Sequence, residues 1–255
     1  MRLLLLDDNF TGNEFLNLKG KNFRYLTKVL RLKKGQKITG RDKKGGLWLL
    51  ELKEILEDSC VLKATPIEKP IETTDSLPKN SKPLPSIFLF QATTKQKKFE
   101  QIIRQSTELG VKAIIPINSK FSMKEKMREE RCQSMIKEAI QQSGSLIPTK
   151  LENIISLVDI PIYWKDRGPL LFFHQNPIEN QEKLSSILSS KYKYDNIGIL
   201  IGSEGGFHEE ECEFLRNAGF HQLLLETNIL RAETAAICAC SICQFLLTES
   251  ETNYK

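Results

Sequence analysis

The strongest constraint on the fold is a change of hydrophobic pattern across one proline-rich stretch. PIEKPIETTDSLPKNSKPLP carries five of the ten prolines, between Pro66 and Pro85, and has no apolar periodicity, so it reads as a linker. Before it, RLLLL, QKITGRD, GGLWLLELKEI and CVLKATPI are short strands set off by glycine turns, with one short helix around Asn22 to Leu30. That half predicts a small, mostly β module of barrel-like character. After the linker, apolar runs alternate with helical spacing. Residues 87–91 form a continuous apolar strand; Phe99, Ile102, Ile103, Ser106 and Leu109 then follow a helical period closed by Gly110. Residues 111–117 make the next strand, and Met127, Met135, Ile136, Ala139 and Ile140 mark a helix ending near Gly144. Further strands are expected at 170–173, 197–201 and 222–225, with helices at 178–190, at 208–218 and from Arg231 onward. Such alternation implies a parallel α/β sheet covered on both faces. The expected boundaries are 1–72 for the β module, 73–86 for the linker and 87–255 for the α/β domain.

At 255 residues, with 40% apolar and 27% charged side chains, the chain has the makeup of an ordinary soluble globular protein. The longest apolar run, around Cys240 to Leu247, is too short and too polar to span a bilayer, so no membrane is expected. The opening MRLLLLDDNF is too short for a secretory signal and reads as a first strand, which favours the cytoplasm. Six cysteines include the cluster Cys238, Cys240 and Cys243, with no second Cys-x-x-Cys pair and no nearby histidine. Small thiols packed inside a tight helix explain it better than zinc does, so no metal is expected.

Net charge is only +5, but its distribution is uneven. Between Lys21 and Lys44 ten basic residues, among them Lys21, Arg24, Lys28, Arg31, Lys33 and Lys34, face the single acid Asp42. A solvated face would account for such a run. Its interleaving with Phe23, Tyr25 and Trp48 makes a polyanionic partner the better reading.

The apolar run ending at Leu200 and Ile201 opens into Gly202-Ser-Glu-Gly-Gly206, followed by the acid-rich Glu209 to Glu211 of a helix start. A loop at the carboxyl end of a parallel strand is where open α/β sheets bind ligands. Glycines there let a ligand approach the main chain, although a plain tight turn would need them too. The acids complement the helix N-terminus and argue against a phosphate, and no Gly-Lys-Ser/Thr follows as a phosphate-binding loop requires. A second segment, Leu224 to Ala236, runs from a strand through a polar loop into Ile229-Leu230-Arg231 and a helix opened by Glu233 and Thr234.

Together these two segments resemble the RsmE family of 16S rRNA (uracil-N3)-methyltransferases, within the SPOUT (knotted) S-adenosylmethionine-dependent methyltransferases. Four more segments fit in order: Val29-Leu-Arg31 with Gly35; Lys98 followed by Ser106-Thr-Glu-Leu-Gly-Val111; Pro116; and Glu138-Ala139 with Gln142-Ser-Gly144 and Pro148. The similarity spans nearly the whole chain. Four departures stand out. Ser203 occupies a position where the family usually has Pro, Tyr25 one where it often has His, and Ser145 one where it usually has Arg. Leu225-Glu-Thr-Asn228 replaces Leu-Gly-x-Arg, so two basic side chains are missing, at 145 and 228.

The resemblance implies a SPOUT-type knotted parallel-sheet α/β domain behind a small N-terminal PUA-like β-barrel. It implies S-adenosylmethionine as cofactor, 16S rRNA or the small ribosomal subunit as partner, and a homodimer whose active site draws on both subunits. Carried onto this sequence, the cofactor residues are Phe173, His174, Leu200, Ile201, Gly202, Glu204, Gly205, Gly206, Leu225, Ile229, Leu230 and Arg231. The RNA residues are Lys21, Arg24, Lys28, Arg31, Lys33, Lys34 and Lys98. Methylation at uracil N3 needs in-line geometry and loss of the N3 proton. Arg231 is the candidate for stabilising the resulting anion, with a salt bridge to Glu233 or to a neighbouring subunit as the competing role. Glu204 is the candidate for orienting the base or Arg231, or for taking the proton through water. His174 lies at a strand end beside the cofactor loop, whereas His208 and His221 read as surface residues. Two competing readings stay open: a non-catalytic RNA-binding or assembly protein that keeps the fold, and a SPOUT enzyme with a different methylation target.

Overall fold

A computed structural model describes residues 3–7, 9–67, 84–124, 127–145, 148–189 and 194–249. The expected linker, 73–86, falls mostly outside these residues; its last residue, Ser86, already belongs to a strand. The chain separates into two compact units, Met1–Asn80 with Ile140–Gly144, and Ser81–Ala139 with Ser145–Lys255.

The first unit is built on a five-stranded sheet, β1 (Leu3–Leu5), β2 (Phe15–Lys19), β3 (Lys37–Arg41), β4 (Leu47–Ile55) and β5 (Ser59–Pro66), in the order β1-β3-β4-β5-β2. Only the β1–β3 pair is parallel. Leu50 and Leu52 on β4, with Cys60, Leu62 and Ala64 on β5, alternate inward at the strand period. Leu4 from one edge strand and Leu18 from the other share that same core, so the sheet curls around it. Helix α1 (Gly20–Arg24) runs into a π-helical turn, Tyr25–Val29, whose Leu26 plugs the core. Phe23, Tyr25 and Trp48 pack against this core as well. The Trp48 indole donates to Asp42 (2.9 Å) and meets Phe10 edge-on, so these aromatics serve packing more than display.

The second unit holds a wholly parallel sheet: β6 (Ser86–Ala92), β7 (Ala113–Asn118), β8 (Lys150–Leu151), β9 (Ile155–Ser156), β10 (Leu170–Phe173), β11 (Asn196–Ile201) and β12 (His221–Leu223). The order is β12-β10-β11-β6-β7-β8, with β9 also pairing β7. Its strands are apolar without alternation because both faces are covered. Phe90, Ile115, Phe172 and Leu200 form one cluster with Ile160 of α4 (Ile160–Tyr163), Trp164, and Cys212 and Leu215 of α6 (Glu209–Asn217). Their neighbours Leu89, Ile114, Leu171 and Ile199, also fully buried, point the other way, toward α2 (Gln96–Glu108) and α7 (Ala232–Glu249). Helix α3 (Glu129–Ser143) follows β7, and Arg131 on it grips Glu100 of α2 with two bonds, 2.6 and 2.8 Å.

Helix α2 stops as its sequence predicts. Gly110 takes φ 76°, and the amides of Gly110 and Val111 return to the carbonyls of Thr107 and Ser106. Cys240 and Cys243 lie buried in α7, where small side chains let the helix approach the sheet, and burial pushes the Cys243 thiol up to about 12.

Strands β2, β8 and β9 are not among those expected, and two expected elements change in extent. The helix expected at 178–190 shrinks to α5 (Leu184–Leu188). The preceding residues instead bond to β12: Gln181 donates to the Gln222 carbonyl (2.8 Å), Gln222 to the Asn176 carbonyl (3.0 Å), and Glu182 pairs with His221 (2.7 Å). These polar partners compete with helix formation. Strand β12 ends at Leu223, two residues early, because Leu224 and Leu225 leave the sheet to line a cleft.

Candidate cofactor cleft

The carboxyl ends of β10, β11 and β12 and the start of α7 enclose a cleft of about 280 Å³. Its walls come from Phe173 at the end of β10 with His174, from Ile201 at the end of β11 with the glycine loop, and from Leu224, Leu225 and residues 227–230 after β12. Ala232 and Ala235 of α7 complete it. Of the twelve expected cofactor residues, ten line this cleft: Phe173, His174, Ile201, Gly202, Glu204, Gly205, Gly206, Leu225, Ile229 and Leu230. Leu200 does not. It is fully buried on the opposite face, against Phe172 and Phe207 in the α6 cluster, because alternate residues of a strand point to opposite sides. Arg231 also lies off the lining. It is exposed at the cleft's edge, just before α7.

The glycine loop is a tight turn, with the Gly206 amide donating to the Ser203 carbonyl at 3.0 Å. Its glycines are required by the protein itself. A Cβ on Gly202 would sit 2.9 Å from the Gly206 backbone, one on Gly205 would sit 2.9 Å from the Phe121 Cβ, and Gly206 has φ 72°. Three anchors fix the turn. The buried Gln91 amide donates to the Gly202 carbonyl (3.1 Å), and the Ser203 hydroxyl donates to the Phe121 carbonyl (2.7 Å). The Glu204 carboxylate accepts from Lys98 Nζ (3.3 Å) and from the Lys95 amide (3.5 Å). Ser203, which replaces the usual family proline, thus supplies a bond a proline lacks.

Beyond the loop, α6 opens with a reciprocal capping box. The His208 ring accepts from the Glu210 amide (3.4 Å), and Glu211 accepts from the His208 amide (2.9 Å). The Glu211 carboxylate also accepts from the Lys120 amide (2.7 Å). Glu209 is held below the ordinary carboxylate range by a hydrogen bond from Arg216. This helix start is complemented by its own acids, as the sequence implied.

Glu204 pairs with Lys98 and not with Arg231, so of the alternatives open for it, orienting Arg231 finds no contact among the described residues. The Arg231–Glu233 salt bridge weighed as the competing role is likewise absent there; Glu233 is 3.7 Å from Lys98 instead. Lys98, expected on the RNA-binding face, sits beside the cleft between two carboxylates. The other expected RNA residues, Lys21, Arg24, Lys28, Arg31, Lys33 and Lys34, are all exposed in the first unit. Arg31 takes the left-handed conformation (φ 52°) usually left to glycine, at the position that stops the π-helical turn.

Sequence reasoning missed Gln175, Ser203, Leu224, Thr227, Asn228, Ala232 and Ala235 in the lining. Asn228 and Thr227 lay in view inside the segment already singled out. Ala232 and Ala235, one helical turn apart on α7, carry no chemical signature. Among the described residues, none in the lining is Lys or Arg. Among the described residues no cluster of three or more potential metal ligands occurs, and no helix is long and apolar enough to cross a membrane.

Comparison with known proteins fits this geometry. The family model for an RNA methyltransferase domain matches residues 80–244, and that for an RNA methyltransferase PUA domain matches residues 18–65. The chain is 30% identical, over 98% of its length and 99% of the relative's, to a Borreliella burgdorferi protein named ribosomal RNA small subunit methyltransferase E 2. It is 27% identical to the Bacillus subtilis ribosomal RNA small subunit methyltransferase E, over 88% of each chain. A solved Neisseria gonorrhoeae ribosomal RNA small subunit methyltransferase E bound to S-adenosyl methionine superposes with a TM-score of 0.77 at 27% identity, covering 96% of this chain and 98% of that one. The chain therefore belongs to the RsmE family of RNA methyltransferases, and the SPOUT-type α/β fold with a PUA-like β module read from its sequence is borne out.

Proposed function

We propose that this chain methylates N3 of a specific uridine in 16S rRNA with S-adenosylmethionine as donor, acting as a cytoplasmic homodimer. One observation carries the reading: three loops at the carboxyl edge of a parallel sheet converge on a cleft walled by apolar side chains and glycine backbone, with no Lys or Arg among the described lining residues. A dinucleotide or other phosphate ligand would call for cationic donors, and the described lining holds no Lys or Arg. A neutral adenine suits Phe173, Leu225 and Leu230 and the loop's main chain. The open cleft also argues against a non-catalytic protein with a vestigial pocket.

When bound, S-adenosylmethionine supplies an electrophilic methyl on a sulfonium. The chain's own residues position, exclude water and stabilise charge. Ile229 and Leu230 shield the mouth, with Ile229 80% exposed and ready to be covered by a ligand or partner. Arg231 follows them directly and has no ion pair among the described residues, so its charge is available to a uracil losing its N3 proton. Glu204 is committed to Lys98 and the start of α2, which suits it to holding the loop better than to carrying a proton.

The exposed basic residues from Lys21 to Lys34 suit phosphate contacts that position RNA without reading its sequence. The uridine must be splayed out or already single-stranded to offer N3. Pairing with a second copy is supported by Ile242 and Phe245, which share one face of α7 and are 39% and 58% exposed. The test is genetic and chemical together. Small-subunit rRNA from cells lacking this chain should lose one N3-methyluridine, and re-expression should restore it. An unchanged set of methylated uridines would overturn the proposal.

A further inference from the structure

The cleft is braced by a charge arrangement that connects three separate parts of the second unit. Lys98, in the first turn of α2, lies 3.3 Å from Glu204 in the glycine loop and 3.7 Å from Glu233 in the first turn of α7. The Lys98 and Glu204 side chains are 30% and 29% exposed, and that of Glu233 only 10%. Glu233 Oε2 is buried without a hydrogen bond, so Lys98 is its nearest countercharge among the described residues. A largely buried carboxylate is tolerated only beside a compensating charge. Glu204 also accepts from the Lys95 amide at the start of α2, a helix whose N-cap Lys95 supplies no side-chain cap of its own.

The consequences fall on the cleft. Glu204 lies inside the turn whose backbone forms one wall. Glu233 lies next to Ala232 and two residues before Ala235, both in the lining, and α7 begins where the loop of residues 224–230 ends. The far end of the same helix pair is fixed independently, by Gln244 of α7 donating to the Leu109 carbonyl (3.0 Å). We propose that Lys98 is a positioning residue: its ammonium, shared by Glu204 and Glu233, sets the separation of the glycine loop from the start of α7 and so the width of the cofactor cleft, and it is not a phosphate contact. The proposal rests on the cleft being the S-adenosylmethionine site. Without Lys98, two carboxylates from opposite walls would face each other uncompensated and push the walls apart.

The experiment measures S-adenosylmethionine binding by calorimetry and the salt dependence of RNA binding for the full chain and four variants. Lys98→Met should weaken cofactor binding by about tenfold or more, equivalent to about 1.4 kcal/mol. Lys98→Arg should restore most of it, because the charge is kept. Lys98→Met/Glu233→Gln should bind better than Lys98→Met alone, because the repulsion is gone, whereas Glu233→Gln alone should weaken binding less than Lys98→Met, because it removes one arm of the bridge without leaving two carboxylates uncompensated. The log–log salt slope of RNA binding should not change in any of them. Wild-type cofactor affinity in Lys98→Met, with a slope reduced by about one, would make Lys98 a phosphate contact and overturn the proposal. If Lys98→Met does not fold, the double variant decides through the same two measurements. Failure of the wild-type chain to bind the cofactor would instead refute the underlying reading of the cleft.

Discussion

Replacing Gly202 with Ala tests whether the turn after β11 builds the cofactor wall. The added methyl would stand 2.9 Å from both the carbonyl carbon and the Cα of Gly206, and 3.1 Å from its oxygen. Carbon atoms in good contact sit about 3.5–4.0 Å apart, so the overlap is about 0.6 Å or more. Backbone must yield, because no flexible side chain is involved. Overpacking of this kind costs about 1–3 kcal/mol. If that cost falls on the conformation that binds cofactor, affinity drops about five- to 150-fold. Gly205→Ala is the control. Its methyl meets the Phe121 Cβ at 2.9 Å and Cγ at 3.1 Å, so adding Phe121→Gly, which removes both atoms, should relieve the clash, and no second substitution should rescue Gly202→Ala as simply. Calorimetric titration with S-adenosylmethionine, alongside thermal unfolding, separates loss of the site from loss of the fold. Wild-type affinity in Gly202→Ala would show that the turn does not shape the cleft and would refute the reasoning.

Three further outcomes follow from the structure. Arg231→Ala should abolish methyl transfer while leaving cofactor affinity within a few-fold, since Arg231 lies off the lining; unchanged turnover removes it from the mechanism. Lys33→Ala/Lys34→Ala should lower the log–log salt slope of RNA binding by about two and leave cofactor affinity alone, as measured by filter binding across salt concentrations. Burial works against the Glu100 carboxylate, but hydrogen bonds from Gln96 and Arg131 and the Arg131 charge outweigh it and hold the group below its ordinary value. Such a group adds stability above its unfolded pKa, and that stability is lost as pH falls through the folded one. Glu100→Gln should therefore lower stability by about 1–2 kcal/mol at neutral pH, with the gap to wild type closing in acid, as read by urea unfolding. A gap independent of pH would assign the loss to packing.

Much of the fold was legible because its strands are fully covered. Runs such as Ile87 to Phe90 and Ile197 to Ile201 are apolar at every position, which only a parallel sheet packed on both faces requires. The same property hid the facing of each residue. Leu200 and Ile201 look equally suited to a cofactor wall, yet only Ile201 reaches the cleft. The helix expected at 178–190 had acceptable apolar spacing, but Gln181 and Glu182 find partners on β12 that no local pattern reveals. β8 and β9, at two residues each, are too short to carry a period. In the site, the glycine turn and the Ile229-Leu230-Arg231 segment announced themselves by residue type. Lys98 did not, because its role depends on carboxylates more than 100 positions away, and a lysine in sequence reads first as a contact for RNA. The three glycines show a related limit: they were expected to admit a ligand, and the structure shows that Gly202, Gly205 and Gly206 first satisfy the turn's own backbone and Phe121.

The most direct measurement is transfer of a labelled methyl group in vitro. Purified chain, methyl-labelled S-adenosylmethionine and small-subunit rRNA, free and assembled into particles, should yield label at N3 of one uridine, located by nuclease digestion and mass spectrometry. Label on a ribose hydroxyl or on guanosine, or no label with either substrate despite bound cofactor, would contradict the account.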